Sequence, residues 1–202
     1  MILISFVLSL ISILFFHLII KYVSKNDTEI KVSKIEYIIL TSIYLIFIYI
    51  FINIHGFSIG FIFKYIVLVY LVATAFIDFR TQYVYCFFNR LMGLVAILYI
   101  IYLNSHNFII KENIEGISIA IIISLIFSFL KIWGEGDSEI FIVVSPFIAV
   151  YGLEYIIANF VLSMALSAIF NLIGLIAKKV DIKSSIAFAP YIATSSLLIL
   201  LI

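Results

Sequence analysis

The chain has 202 residues, of which 66% are hydrophobic and 11% charged, with a net charge of +1 and one cysteine. Soluble domains carry about 25% charged residues, so this much apolar surface excludes a water-soluble domain and makes the chain an integral membrane protein. The small net charge excludes nucleic acid as a partner, and the lone Cys86 excludes an intramolecular disulfide or an all-cysteine zinc site.

A helical span needs about 20 mostly apolar residues. Taken in order, residues 1–20 form the first run, without a basic leader or small-residue cleavage site, and read as a retained helix rather than a signal peptide. A polar stretch over 21–36 carries Lys21, Lys25, Lys31 and Lys34. The second span is 37–54, closed by His55-Gly56, and the third is 57–77, ending abruptly on Asp78. After a loop over 78–85, 86–103 is the fourth span, 104–115 a polar loop and 116–132 the fifth span. Trp133 closes the fifth as an interfacial aromatic would. The polar break Gly134-Glu135-Gly136-Asp137 opens a short sixth span over 138–151, roughly 20 Å as a helix. Residues 155–177 are the seventh span, 178–183 a basic loop and 184–202 the eighth. With no repeat or low-complexity linker, the expectation is an all-α polytopic bundle of about eight transmembrane helices in one domain, 1–202. Within it, 1–36 is the first span with a short basic loop, and 37–202 is a helical core. Abundant Ile, Tyr, Phe, Lys and Asn suggest an AT-rich microbial genome.

Eight spans place alternate loops on one side. That side holds Lys21, Lys25, Lys31, Lys34, Arg80, Arg90, Lys131, Lys178, Lys179 and Lys183, and the other only Lys64 and Lys111. The positive-inside rule makes the first side cytoplasmic. Asp78 ends the third span and Asp137 starts the sixth, so both acids fall at one depth on the cytoplasmic face.

A single acid at a helix end is usually an interfacial residue reaching water. Three features argue for more. Asp78 follows a charge-free run from Tyr65 to Ile77. Asp137 is bracketed by Gly134 and Gly136, which permit left-handed or crowded backbone conformations. The two acids share a face, and ionisable groups at membrane depth are functional candidates. Two neighbouring carboxylates that share a proton supply both a base and an acid, the requirement for hydrolysing a peptide without a covalent intermediate. Asp137 at a helix N-terminus is expected to be the resting carboxylate, and Asp78 at a C-terminus the acid.

Three motifs then resemble one family. Ala75-Phe76-Ile77-Asp78-Phe79-Arg80-Thr81 looks like the first aspartate motif of the type IV prepilin peptidases. Gly134-Glu135-Gly136-Asp137 resembles their GxGD motif, and Phe188-Ala189-Pro190-Tyr191-Ile192-Ala193 the Phe-Ala-Pro-Phe segment of their last span. Order and spacing agree from about residue 37 to the end. The family usually has Ile-Pro where this chain has Val84-Tyr85, often a lysine where it has Glu139, and commonly a proline where it has Ala187.

The resemblance implies a GxGD-type aspartyl protease with Asp78 and Asp137 as catalytic residues and Gly134, Gly136, Arg80 and Pro190 as motif-supporting ones. It implies prepilin-like precursors of type IV pilus systems as partners, cut at the cytoplasmic face of a bacterial cell membrane just before an apolar helix. Bifunctional members carry a domain with two cysteine pairs between their first two spans. Here that interval, 21–36, has no cysteine, so a peptidase-only form without N-methylation is expected. Glu135 and Glu139 read first as solvated loop acids, with attraction of leader lysines as the second reading. Asn89 and Arg90 read as interfacial, and Cys86 as a packing residue. His17, His55 and His106 are scattered, so neither metal nor cofactor is expected. Two alternatives stay open. One is an ion-coupled transporter or channel that binds a cation at Asp78 and Asp137. The other is a GxGD protease of the class that cuts helices within the bilayer, whose tyrosine before the first aspartate is Ile77 here.

Overall fold

Two of the polar breaks in the sequence become side-chain helix caps. The computed structural model describes residues 1–26, 30–106, 111–177 and 186–202. They form eight helices, α1 (Ile2–Asn26), α2 (Lys34–His55), α3 (Ile59–Thr81), α4 (Cys86–Ser105), α5 (Lys111–Phe129), α6 (Glu135–Ala149), α7 (Leu153–Ile176) and α8 (Ala189–Leu200). Ser33 caps α2 in a capping box: its hydroxyl accepts the Glu36 N–H at 3.2 Å, and the Glu36 carboxylate accepts the Ser33 N–H at 2.7 Å. Ser58 caps α3 by accepting the Phe61 N–H at 3.1 Å.

The protein is an all-helical membrane bundle. Helices α1, α2, α3, α4 and α7 are long and apolar enough to cross a bilayer, whereas 113–129 of α5 and all of α8 are shorter apolar helices. Large apolar side chains such as Leu3, Ile38, Leu125 and Ile173 lie exposed on the outer faces. Lipid is as apolar as these side chains, so helices associate through close packing and polar contacts rather than a hydrophobic drive. Gly116 shows the close packing: a Cβ there would stand 3.2 Å from that of Ala149. Asn159 of α7 shows the polar contacts, accepting the Ser195 hydroxyl of α8 at 2.6 Å.

The bundle is centred on α6, whose Ile140, Phe141, Val144, Phe147 and Ile148 are buried. It packs against α4, α5, α7 and α8, while α3 packs chiefly against α8 and α2. The contacts also align the helix ends. The Tyr22 ring of α1 stacks on Phe87 of α4, and Arg80 of α3 pairs with Glu36 of α2. The ends of α1 and α3 therefore lie with the starts of α2 and α4.

Several boundaries differ from the expectation. The first helix continues through Lys21 and Lys25, because aliphatic lysine stems lie along a helix while their heads reach water. The third passes Asp78 and ends at Thr81, with Gln82 left-handed at φ 54° and its N–H on the Asp78 carbonyl at 2.7 Å. The sixth starts at Glu135, and the eighth only at Ala189. The expected loop 178–183 lies outside the described residues.

Candidate active site

Three connections meet at one end of the bundle: the turn after α3, the Trp133–Gly134 turn before α6, and the segment leading into α8. Asp78 is buried on the last full turn of α3. Its Oδ2 accepts the backbone N–H of Ala189 at 2.9 Å. That donor is free because the first amides of a helix have no carbonyl within the helix to bond. Pro190 occupies the next position, where an N–H would also lack an intrahelical partner.

Asp137 sits in the first turn of α6, whose N-cap is Gly134. Its carboxylate folds back over that glycine, and a Cβ at Gly134 would stand 3.2 Å from Oδ2. The Oδ1 atom is buried without a hydrogen-bond partner, as are Oγ of Ser138 and Nε1 of Trp133. Asp78 and Asp137 are close enough for like-charge repulsion between them.

Of the two conformations expected at the glycines, the crowded one holds at Gly136 and the left-handed one at neither. Neither Gly134 nor Gly136 has a positive φ; the positive-φ glycines are Gly56 and Gly152. What Gly136 provides is clearance, since a Cβ there would lie 2.4 Å from Cβ of Val84. The extended turn after α3 thus lies directly on the first turn of α6, and this contact draws the two acid-bearing elements together.

Of the residues singled out from sequence, Asp78, Asp137, Gly134, Gly136 and Pro190 converge here. Arg80 does not. It is exposed, pairs with Glu36 and lies 5.7 Å over the Phe76 ring, so it ties the end of α3 to the start of α2. The helix-end argument for unequal acids also changes. Asp78 lies near the end of its own helix but receives an amide from the start of α8, so both carboxylates face helix N-termini. That geometry no longer ranks one above the other.

Four further readings are corrected. Trp133 is no interfacial anchor but is buried against Phe127, Phe141, Phe160 and Phe188, because the α5–α6 turn folds inward. Asn89 is buried rather than interfacial: it accepts the Tyr70 hydroxyl at 2.7 Å and donates to Glu139 at 2.8 Å. Glu139 is accordingly a half-buried, bonded helix residue and not a solvated loop acid, whereas Glu135 and Arg90 are exposed. Cys86 is exposed at the start of α4 instead of packed. Nothing beside Asn89 or Glu139 in the sequence signals this link, because its partners lie on separate helices. Among the described residues, no three His, Cys, Asp or Glu side chains converge to hold a metal ion.

A helical membrane bundle that gathers one buried and one half-buried acid at one end, each beside a helix start, has a form that suits a membrane-embedded hydrolase. A family model described as the type IV leader peptidase family matches residues 65–176, more than half of the chain, and the chain belongs to that family. It is therefore a protease of the prepilin peptidase class. The match includes Asp78, the Gly134–Asp137 turn and Glu139, and it stops short of the segment at 188–193. No curated protein matched the chain, and no solved structure did. The transporter alternative has no counterpart in this family.

Proposed function

We propose that the chain is an aspartyl endopeptidase that removes a short basic leader from pilin-like precursors at the cytoplasmic face of the cell membrane. Asp78 and Asp137 share one proton as a coupled pair. The ionised member takes a proton from water as the water oxygen adds to the scissile carbonyl carbon. The protonated member gives its proton to the carbonyl oxygen. Collapse of the tetrahedral gem-diol breaks the C–N bond: a carboxyl proton passes to the leaving amine, and one gem-diol hydroxyl returns its proton to the other carboxylate. Water is thereby divided between the new carboxyl group and the new N-terminus.

One observation carries this reading: the buried Asp78 and the half-buried Asp137, from separate helices, lie within reach of each other's charge at one end, with the buried Oδ1 of Asp137 left without a partner. Buried polar atoms are nearly always bonded, and an exception beside a second acid is where a reacting water or carbonyl would be held. The cytoplasmic orientation rests on the distribution of Lys and Arg, and the choice of precursor on the family. The 21–36 interval, free of cysteine, supports cleavage without N-methylation.

Co-expression with a candidate precursor, read as the mass lost with the leader, tests the proposal. Asp78→Asn and Asp137→Asn should each abolish cleavage while the protein still inserts in the membrane. Cleavage by either variant at a rate near the parent's would overturn it.

A further inference from the structure

The first turn of α6 is held on three sides. Gly136 lies against Val84 of the turn after α3. Asp137 faces the Asp78 side, within reach of its charge. Glu139, two residues further and so about 200° around the helix from Asp137, turns away toward α4. There its Oε2 accepts the Asn89 side-chain N–H at 2.8 Å, and Asn89 Oδ1 accepts the Tyr70 hydroxyl of α3 at 2.7 Å. Both Tyr70 and Asn89 are buried.

We infer that Tyr70, Asn89 and Glu139 form a positioning chain that fixes the rotation of α6 about its own axis and so sets the direction in which Asp137 presents its carboxylate to Asp78. The inference rests on the proposed role of the dyad. A helix with smooth apolar flanks in lipid has little to hold its rotation, because neighbouring side chains and lipid tails are equally apolar. Directional bonds supply what apolar packing lacks. The chain begins on α3, the helix that carries Asp78, crosses α4 and ends on α6, the helix that carries Asp137. It therefore references one acid to the other by a route separate from α8. Its members touch neither the two carboxylates nor the Ala189 amide in the bonds described above, so they act through position.

The rotation matters because small misplacements of a reacting group are costly; about 1 Å is enough for a hundredfold loss of rate. Asn89 is the central link and has no substitute, since it is an acceptor toward Tyr70 and a donor toward Glu139 at once. An amide provides both; leucine provides neither. Glutamine at 139 keeps an acceptor oxygen for Asn89 while removing the charge, which separates position from electrostatics.

Purified protein in detergent, given a precursor and followed by leader loss, provides the test. Asn89→Leu and Tyr70→Phe should lower kcat about 10- to 100-fold, with KM for the precursor within about twofold and the thermal midpoint lowered by a few degrees, as the loss of a buried polar contact requires. The double variant should be no slower than Asn89→Leu alone, because both break one chain. Glu139→Leu should match Asn89→Leu, and Glu139→Gln should restore most of the lost rate with the parent's pH profile. Parent-like kcat in Asn89→Leu and Tyr70→Phe, or additive losses in the double variant, would overturn the inference. So would a Glu139→Gln variant as slow as Glu139→Leu with a displaced pH profile, which would assign Glu139 an electrostatic role. Asp137→Asn, run alongside, separates the two claims. If it cleaves, the dyad reading fails; if it is dead while Asn89→Leu is fully active, only the positioning chain fails.

Discussion

The two ends of α3 each bury an ionisable group, and they treat it in opposite ways. Near the start, the Lys64 ammonium is 2.7 Å from His55 Nε2 of α2, donates to the Tyr151 hydroxyl beyond α6, and lies 5.0 Å from the centre of that ring. Near the end, Asp78 accepts one amide, faces a second acid, and that acid retains a buried oxygen with no partner. The lysine is surrounded by groups that suit it. The aspartates are assembled against mutual repulsion. A satisfied polar cluster fastens helices together, whereas an unsatisfied one holds strain that substrate and water can relieve. The difference supports the proposed role of the dyad end without reference to any motif.

The sharpest way to test that contrast is to remove one charge from each end. Asp78→Asn or Asp137→Asn should reduce cleavage by about ten-thousandfold or more, as expected when one member of a two-residue unit is lost. The thermal midpoint in detergent should stay level or rise, because the repulsion is relieved; a large fall would mean the pair is structural. Gly136→Val should come next. Its side chain would drive Val84 off the first turn of α6, and cleavage should fall about a hundredfold. Val84→Ala in the same background should recover part of the rate, and no recovery would refute the clearance argument.

Lys64→Met should show the reverse pattern. Cleavage should stay within about threefold of the parent, while stability drops by about 1–2 kcal/mol as a polar contact between α2, α3 and α6 is lost. Loss of cleavage with unchanged stability would show that the lysine end, too, is a working site. Arg80→Ala should have the smallest effect. The Arg80–Glu36 pair is exposed enough to be worth about 0.5 kcal/mol, and leader loss should proceed at near the parent rate.

The parts of this arrangement that could be read from the sequence are those where a residue defies its surroundings. Asp78 after a charge-free run and Asp137 in a glycine-bracketed break are costly in lipid, and cost is visible in one dimension. Helix number followed from apolar run length for the same reason. What escaped reading depends on partners far away in the chain. Asn89 looked interfacial because its bonds go to Tyr70 and Glu139, on two other helices. Trp133 looked like a belt residue because nothing nearby reveals that Phe160 and Phe188 enclose it. Gly136 was noticed, but its neighbour Val84 could not be. Asp78 was placed at a helix end and assigned a charge state on that basis, although its effective neighbour is the start of α8.

The two central helices are short against the membrane. Helix α6 has 15 residues and α8 has 12, about 22 Å and 18 Å of rise, against a hydrocarbon layer of about 30 Å. Helices α1, α2 and α7 are 22 to 25 residues long, enough to cross it. Packed against the longer α7, which both of them contact, α6 and α8 rise too little to match its length.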